Sequence, residues 1–132
     1  MLIENILILK DLLGKTNCSC IIPSRVIAEL DKLKNSDTNL GVKARDAIRF
    51  LDNKFQQKTP NLIGQQGYQA LQGIKDGGVH EQTADDNIIN CCLYFQKVVI
   101  SKEKSQELTL LTFDRNMRIK AGINHINAPS RF

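Results

Sequence analysis

The amino-acid sequence predicts an α/β fold, a mainly parallel sheet with helices on both sides, formed by one domain over residues 1–132. Three features point there. Short apolar runs bounded by proline, glycine or charge alternate with longer stripes of helical period. Helix-like stretches follow strand-like ones directly, as parallel strands joined by crossovers require. With 132 residues, 42% apolar and 24% charged, the chain has the size and composition of one compact domain.

Element by element, Leu2 to Leu13 reads as a helix with Ile3, Ile6, Leu7, Leu9, Leu12 and Leu13 on its apolar side and Gly14 as its stop. Cys18 to Ile22, short, apolar and closed by Pro23, suits a buried strand. Ser24 is then placed to cap a helix reaching Lys34, with Val26, Ile27, Leu30 and Leu33 inward. After the polar break at 35–39, a helix from Val42 to Phe55 carries Val42, Ala44, Ala47, Ile48, Leu51 and Phe55 toward the core. Residues 56–82, rich in glutamine and interrupted by five glycines, read as a loop or lid. Thr83 caps a further helix whose buried stripe is Ile88, Ile89, Cys91, Cys92, Leu93 and Phe95. Val98 to Ile100 is either a short strand or a continuation of that helix, and 102–107 a charged loop. Leu108 to Phe113 reads as a buried strand, Asp114 to Gly122 as a short helix, and Ile123 to Ile126 as a last edge strand.

Several function classes are excluded at this level. No apolar run approaches the roughly 18 residues needed to span a bilayer, so no membrane insertion is expected. The start has no basic leader and no cleavage-site pattern, which argues against a secretory signal and for an intracellular protein. Cys18, Cys20, Cys91 and Cys92 form a C-x-C and a C-C pair rather than zinc knuckles, so they are read as small buried apolar residues. Dinucleotide, P-loop and serine-hydrolase motifs are absent, and His80 and His125 belong to no triad-like motif. The net charge of +4 is compatible with nucleic acid without requiring it.

Three carboxylates stand out by context: Glu29, Asp85 and Asp114 each follow a strand-like run or open a helix. Individually each has a structural explanation, as a helical surface charge, a dipole-stabilising acid or an N-cap. Asp86, three residues after Thr83, is the better reciprocal cap. In an open parallel sheet, however, strand ends and the helix starts after them face one crevice. Acids gathered there repel and need a cation, and oxygen-only donors select Mg²⁺ or Mn²⁺.

The run Ile21 to Lys34, with Pro23 and Glu29, resembles the second acidic motif of PIN-domain ribonucleases. Lys43 to Ile48 is similar to the helix that follows it, Asp85 to Phe95 to the third motif, and Leu110 to Asn116 to the fourth. With Asn61 to Gln65, the combination looks nearest to the nuclear mRNA-surveillance endoribonucleases of the synthetic-lethal-with-TREX type. That resemblance implies a three-layer α/β/α sandwich and Mg²⁺- or Mn²⁺-dependent endonucleolytic cleavage of single-stranded RNA. It assigns Glu29, Asp85 and Asp114 to catalysis and metal binding, with Asp86 beside them as a further metal candidate. Asp85 is preferred in the doublet because it stands three residues before Ile88 and seven before Cys92, the family's spacing. It also implies a nuclear, or additionally cytoplasmic, location and partners in mRNA export or at the nuclear pore.

For the RNA backbone the basic candidates are Lys43, Arg45 and Arg49, then Arg115, Arg118 and Lys120, each equally readable as a solvated helix charge. The two tyrosines and five phenylalanines allow no assignment of base stacking.

Two departures from the family pattern matter. The family's opening strand, ending in Asp-Thr-Asn, is not found in this sequence, which begins at Met1-Leu2-Ile3 in what would be the following helix. Either the strand lies upstream of Met1 or the chain diverges there, and without it one acidic ligand and one strand are missing. Without that ligand the domain by itself would be inactive, and the exposed sheet would favour a dimer. Phe113 also stands where asparagine commonly precedes the fourth aspartate. A catalytically weak or inactive PIN fold, serving as an RNA-binding or docking module, is therefore the competing expectation. A phosphoacceptor or flavodoxin-like domain would need a late lysine and a more regular five-strand pattern, which the sequence lacks.

Overall fold

The structure, a computed structural model, describes residues 6–15, 17–67, 69, 83–100 and 107–130. Residues 1–5, residues 68 and 70–82 of the expected loop with His80 among them, and the charged loop 101–106 lie outside them. The chain divides into two compact units, Met1–Gln65 and Gln66–Phe132. Both are built from helices, with parallel strand pairing in the first, as an α/β fold of the PIN type has. Among the described residues no helix is long and apolar enough to cross a membrane.

In the first unit, helix α1 (Ile6–Leu13) leads to strand β1 (Cys20–Ile22), helices α2 (Ser24–Leu33) and α3 (Asn39–Gln56), and strand β2 (Leu62–Gly64). The strands pair in parallel, Cys20 opposite Leu62 and Ile22 opposite Gly64. Backbone bonds at both ends extend the ladder, Cys20 N to Asn61 O at 2.8 Å and Gln65 N to Ile22 O at 2.9 Å. Asn61 also donates its side-chain amide to Leu13 O at 2.9 Å, satisfying a carbonyl that the end of α1 leaves without a helical partner. Strand β2 was hidden within the glutamine-rich stretch expected to be loop, because three residues ending in glycine carry no alternation; its partner makes it a strand.

The start of α2 corrects the assignment of Ser24 as cap. Pro23 occupies the N-cap position, with φ −61° and ψ 144°, and Ser24 is the first helical residue. The amide and hydroxyl of Ser24 both donate to Gln65 Oε1, at 2.9 and 3.1 Å. Parallel pairing sets Gln65 beside the helix start, so a tertiary acceptor does the work of a local cap.

Leu9, Ile22, Leu30, Ala44, Ala47, Leu51 and Leu62 form the core of this unit. Helix α3 begins three residues before the expected Val42, and its buried face is Gly41, Ala44, Ala47 and Leu51. Val42 is one position off that register, about 100° around the helix, and remains 47% exposed. Ile27 and Phe55, also expected inside, are exposed too. Gly41 is the residue that permits the tight entry to α3: a Cβ there would collide with the Ser36 carbonyl oxygen and stand 2.8 Å from its carbon.

In the second unit, helix α4 (Ala84–Phe95) opens as expected on Thr83, whose hydroxyl accepts from Asp86 N at 3.1 Å. Ile89, Cys91, Cys92 and Phe95 are buried, together with Asn90, which no apolar pattern would place there. The helix continues into a π-helical turn, Gln96–Ile100, which decides between helix and strand for Val98 to Ile100. The expected strand Leu108 to Phe113 is reduced to an isolated parallel bridge, Thr109 with Asn127. Leu108 and Leu110 pack, half-buried, on the cluster of Ile89, Cys92, Met117, Ala121 and Ile126, while Thr109 and Phe113 are exposed, so the run is neither the buried segment nor the strand expected of it.

Helix α5 (Arg115–Ile123) ends where an edge strand was expected at Ile123 to Ile126. Instead, His125 adopts a left-handed φ of 60°. Its amide bonds Gly122 O at 3.1 Å, and Ile126 N reaches back to Ala121 O at 2.8 Å. That is a Schellman closure with histidine in the position usually held by glycine, and the buried Ile126 supplies its apolar contact to Ala121.

Candidate functional site

In the second unit, the strand-like run and helix starts position three acids. Asp85 and Asp86 occupy the first turn of α4, directly after the Thr83 cap. The ammonium of Lys120, one turn from the end of α5, lies 3.7 Å from Asp85 Oδ2 and 3.8 Å from Asp86 Oδ1. Both separations are ion pairs rather than hydrogen bonds. One cationic group therefore straddles the two carboxylates and offsets the repulsion between neighbouring acids.

Asp114 is the N-cap of the same α5. Its Oδ1 accepts from Asn116 N at 2.9 Å and Met117 N at 3.3 Å. Both cap bonds fall on one oxygen, Oδ1. Thr112 fixes the approach, its hydroxyl accepting from Asp114 N at 3.1 Å. A threonine two residues ahead of an N-cap aspartate was the sequence signal for this support. Phe113 between them is 51% exposed.

In the first unit, Glu29 lies on α2, its Oε1 accepting from Arg25 Nε at 3.0 Å with Lys32 Nζ at 3.6 Å. It is a half-exposed carboxylate held by two cations of its own helix. Within either unit, no group of three or more His, Cys, Asp or Glu among the described residues is gathered as a metal site.

The basic candidates divide by engagement. Arg45 donates to Lys34 O at 2.6 Å and ties the end of α2 to α3. Arg49 pairs with Asp46 one turn away. Arg118 donates to Thr112 O at 3.4 Å, bracing the segment that carries Asp114. Lys120 serves the α4 acids, while Lys43 and Arg115 are exposed to solvent.

The cysteines keep their apolar role. Cys91 and Cys92 are buried free thiols, and burial pushes both up to about 12, with neighbouring Cys92 adding to the effect on Cys91. Cys20 is raised by burial and then by Cys18. Thiols held neutral are poor metal ligands.

Comparison with known proteins adds the following. A family model for the PIN domain matches residues 1–131. The transcriptional protein swt1 of Schizosaccharomyces pombe is 34% identical over 111 residues, 83% of this chain and 21% of that protein. The telomerase-binding protein EST1A of Danio rerio is 30% identical over 141 residues, 86% of this chain and 9% of that protein. The transcriptional protein SWT1 of Homo sapiens is 30% identical over 113 residues, 84% of this chain and 12% of that protein. The chain thus spans about a fifth or less of the length of these curated relatives.

Proposed function

From the premise that this chain belongs to the PIN domain family, with similarity to the Swt1 proteins, we propose that it is a metal-dependent endoribonuclease acting on single-stranded RNA. The observation that carries the proposal is the Asp85–Asp86 pair sharing one cation beside a helix capped by Asp114. A single family match over 1–131 supports one domain with the three-layer arrangement of the family. The relatives' names, transcriptional and telomerase-binding, support a nuclear place, and a role in mRNA quality control is proposed from the resemblance of the motifs alone.

The donor type suits Mg²⁺ or Mn²⁺, because carboxylate oxygens are hard ligands for a hard cation, while the described residues gather two acids, Asp85 and Asp86, around one charge. Asp85, Asp86 and Asp114 are assigned to metal holding by their match to the family motifs, and so, separately, is Glu29. When bound, such a cation activates an attacking water and neutralises the phosphoryl oxygens. Lys120, released from the acids, is then left to meet a phosphate, and exposed Lys43 and Arg115 offer backbone contacts without sequence information. No side-chain nucleophile is needed.

Cleavage of an unstructured RNA in Mn²⁺ tests this, comparing the wild type with Asp114→Asn. Asparagine caps helices as well as aspartate, so the substitution removes charge and keeps the fold. Activity equal in the two proteins, or absent from both, refutes the enzymatic proposal. A second proposal, a PIN fold that binds RNA or a protein without cutting, is favoured by Lys120, which already offsets one of the acid pair's two charges. It predicts RNA binding with no heat of Mn²⁺ binding by calorimetry.

A further inference from the structure

The first unit contains a cleft of about 490 Å³ between α1 and the end of α3, lined by Lys10, Leu13, Phe50, Asn53, Lys54 and Thr59 among others. Its volume falls within the roughly 300–1,000 Å³ typical of small-ligand sites. The ammonium of Lys10 lies 5.4 Å from the centre of the Phe50 ring, and that of Lys54 5.7 Å. Two cations from different helices are thus gathered on one aromatic ring, and among the described residues no carboxylate lines the cleft. The neighbouring acids of α3 are engaged elsewhere, Asp46 by Arg49 and Asp52 by Gln56. Like charges in a concave site attract an anion, and the ring beneath them offers a face for a planar group.

We propose that this cleft binds one nucleotide unit of single-stranded RNA, Lys10 and Lys54 taking the phosphates and Phe50 stacking on the base. The proposal rests on the reading of this chain as a protein that acts on RNA. The cleft is separate from the Glu29 region of the same unit. Gly14 and Thr59 precede β1 and β2, whereas Ser24 and Gln65 follow them, so the two regions lie at opposite ends of the parallel pair, about 10 Å of strand apart. Lysines recruited by phosphate leave the ring to the base, and stacking of that kind tolerates any sequence.

Fluorescence anisotropy of a labelled ten-residue oligouridine, with EDTA present, measures binding to the whole chain across a salt series. Lys10→Gln with Lys54→Gln should weaken binding at least fivefold and flatten the log–log salt slope by about 1.4, two phosphates at roughly 0.7 each. Phe50→Leu should weaken binding at unchanged slope. A double variant that binds with wild-type affinity and slope overturns the proposal, as does a wild type that does not bind RNA. If the double variant misfolds, amide NMR of the wild type decides: Gly14 and Thr59 must shift with oligouridine. Shifts caused only by inorganic phosphate, or by an oligoglutamate and not by RNA, overturn it. Wild type that fails to cleave with Mn²⁺ while the binding results hold removes the nuclease reading and leaves the cleft standing.

Discussion

Replacing Lys120 with methionine removes the charge that bridges Asp85 and Asp86 and keeps both the length of the side chain and its helix preference. At 3.7 Å a unit-charge pair in an effective dielectric of about 20 would gain about 4 kcal/mol. Here the groups are half in water, with side-chain exposures of 41% for Lys120, 32% for Asp85 and 21% for Asp86. Screening and the entropy of holding the lysine reduce each pair to about 0.2–1 kcal/mol. The two together are then about 0.4–2 kcal/mol. A divalent cation entering between the acids must displace that ammonium, so Lys120→Met should tighten Mn²⁺ binding by roughly two- to thirtyfold. The metal-free variant should be less stable by a similar amount, visible as a melting point lowered by a few degrees. Titration calorimetry with Mn²⁺, wild type against variant, reads the first effect directly. Mn²⁺ binding that is unchanged or weaker in Lys120→Met refutes the idea that the lysine competes with metal for this pair.

Other outcomes follow from the same geometry. Gly41→Ala, which drives a Cβ into Ser36, should destabilise by about 1–3 kcal/mol in urea unfolding, despite alanine's better helix propensity. Gly122→Ala, with nothing within 4 Å of the added Cβ, should stabilise by about 0.5–1 kcal/mol in the same assay. His125→Gly relieves a left-handed φ of 60° and should raise stability by about 1 kcal/mol, measured as a shift in the unfolding midpoint. Burial raises Cys91 and Cys92 from about 9 to about 12, so the unfolded chain loses their protons first as pH rises. Their contribution to stability is therefore complete below pH 9 and disappears on the way to pH 12, a decline that Cys91→Ala should reduce.

Much of the helical structure was legible because its signals are local. Thr83 and Asp114 cap helices through their own side chains, and each could be recognised from a polar residue ahead of an apolar stripe. Gly14 follows the end of α1 as a stop should, and Ala44 and Ala47 face inward where helical periodicity puts them. Asp85, Asp86 and Asp114 could be placed because the helix starts they occupy are local signals, whereas the strand expected ahead of Asp114 has no ladder.

What stayed illegible depended on residues distant in sequence. Ser24 looked like a cap, but its hydrogen bonds go to Gln65, 41 residues on, which only β1–β2 pairing brings near. Leu62 to Gly64 carries no strand pattern of its own, and Leu108 to Phe113 carries a strong one without a ladder, because a strand is defined by its neighbour. The sequence by itself determined an α/β chain of the PIN type and the chemical nature of its acids. Tertiary structure alone decided that Lys120 is the cation shared by Asp85 and Asp86, and that Lys10 and Lys54 meet over Phe50. Charge and periodicity are written along the chain, whereas which opposite charges meet is set by how helices from separate segments pack.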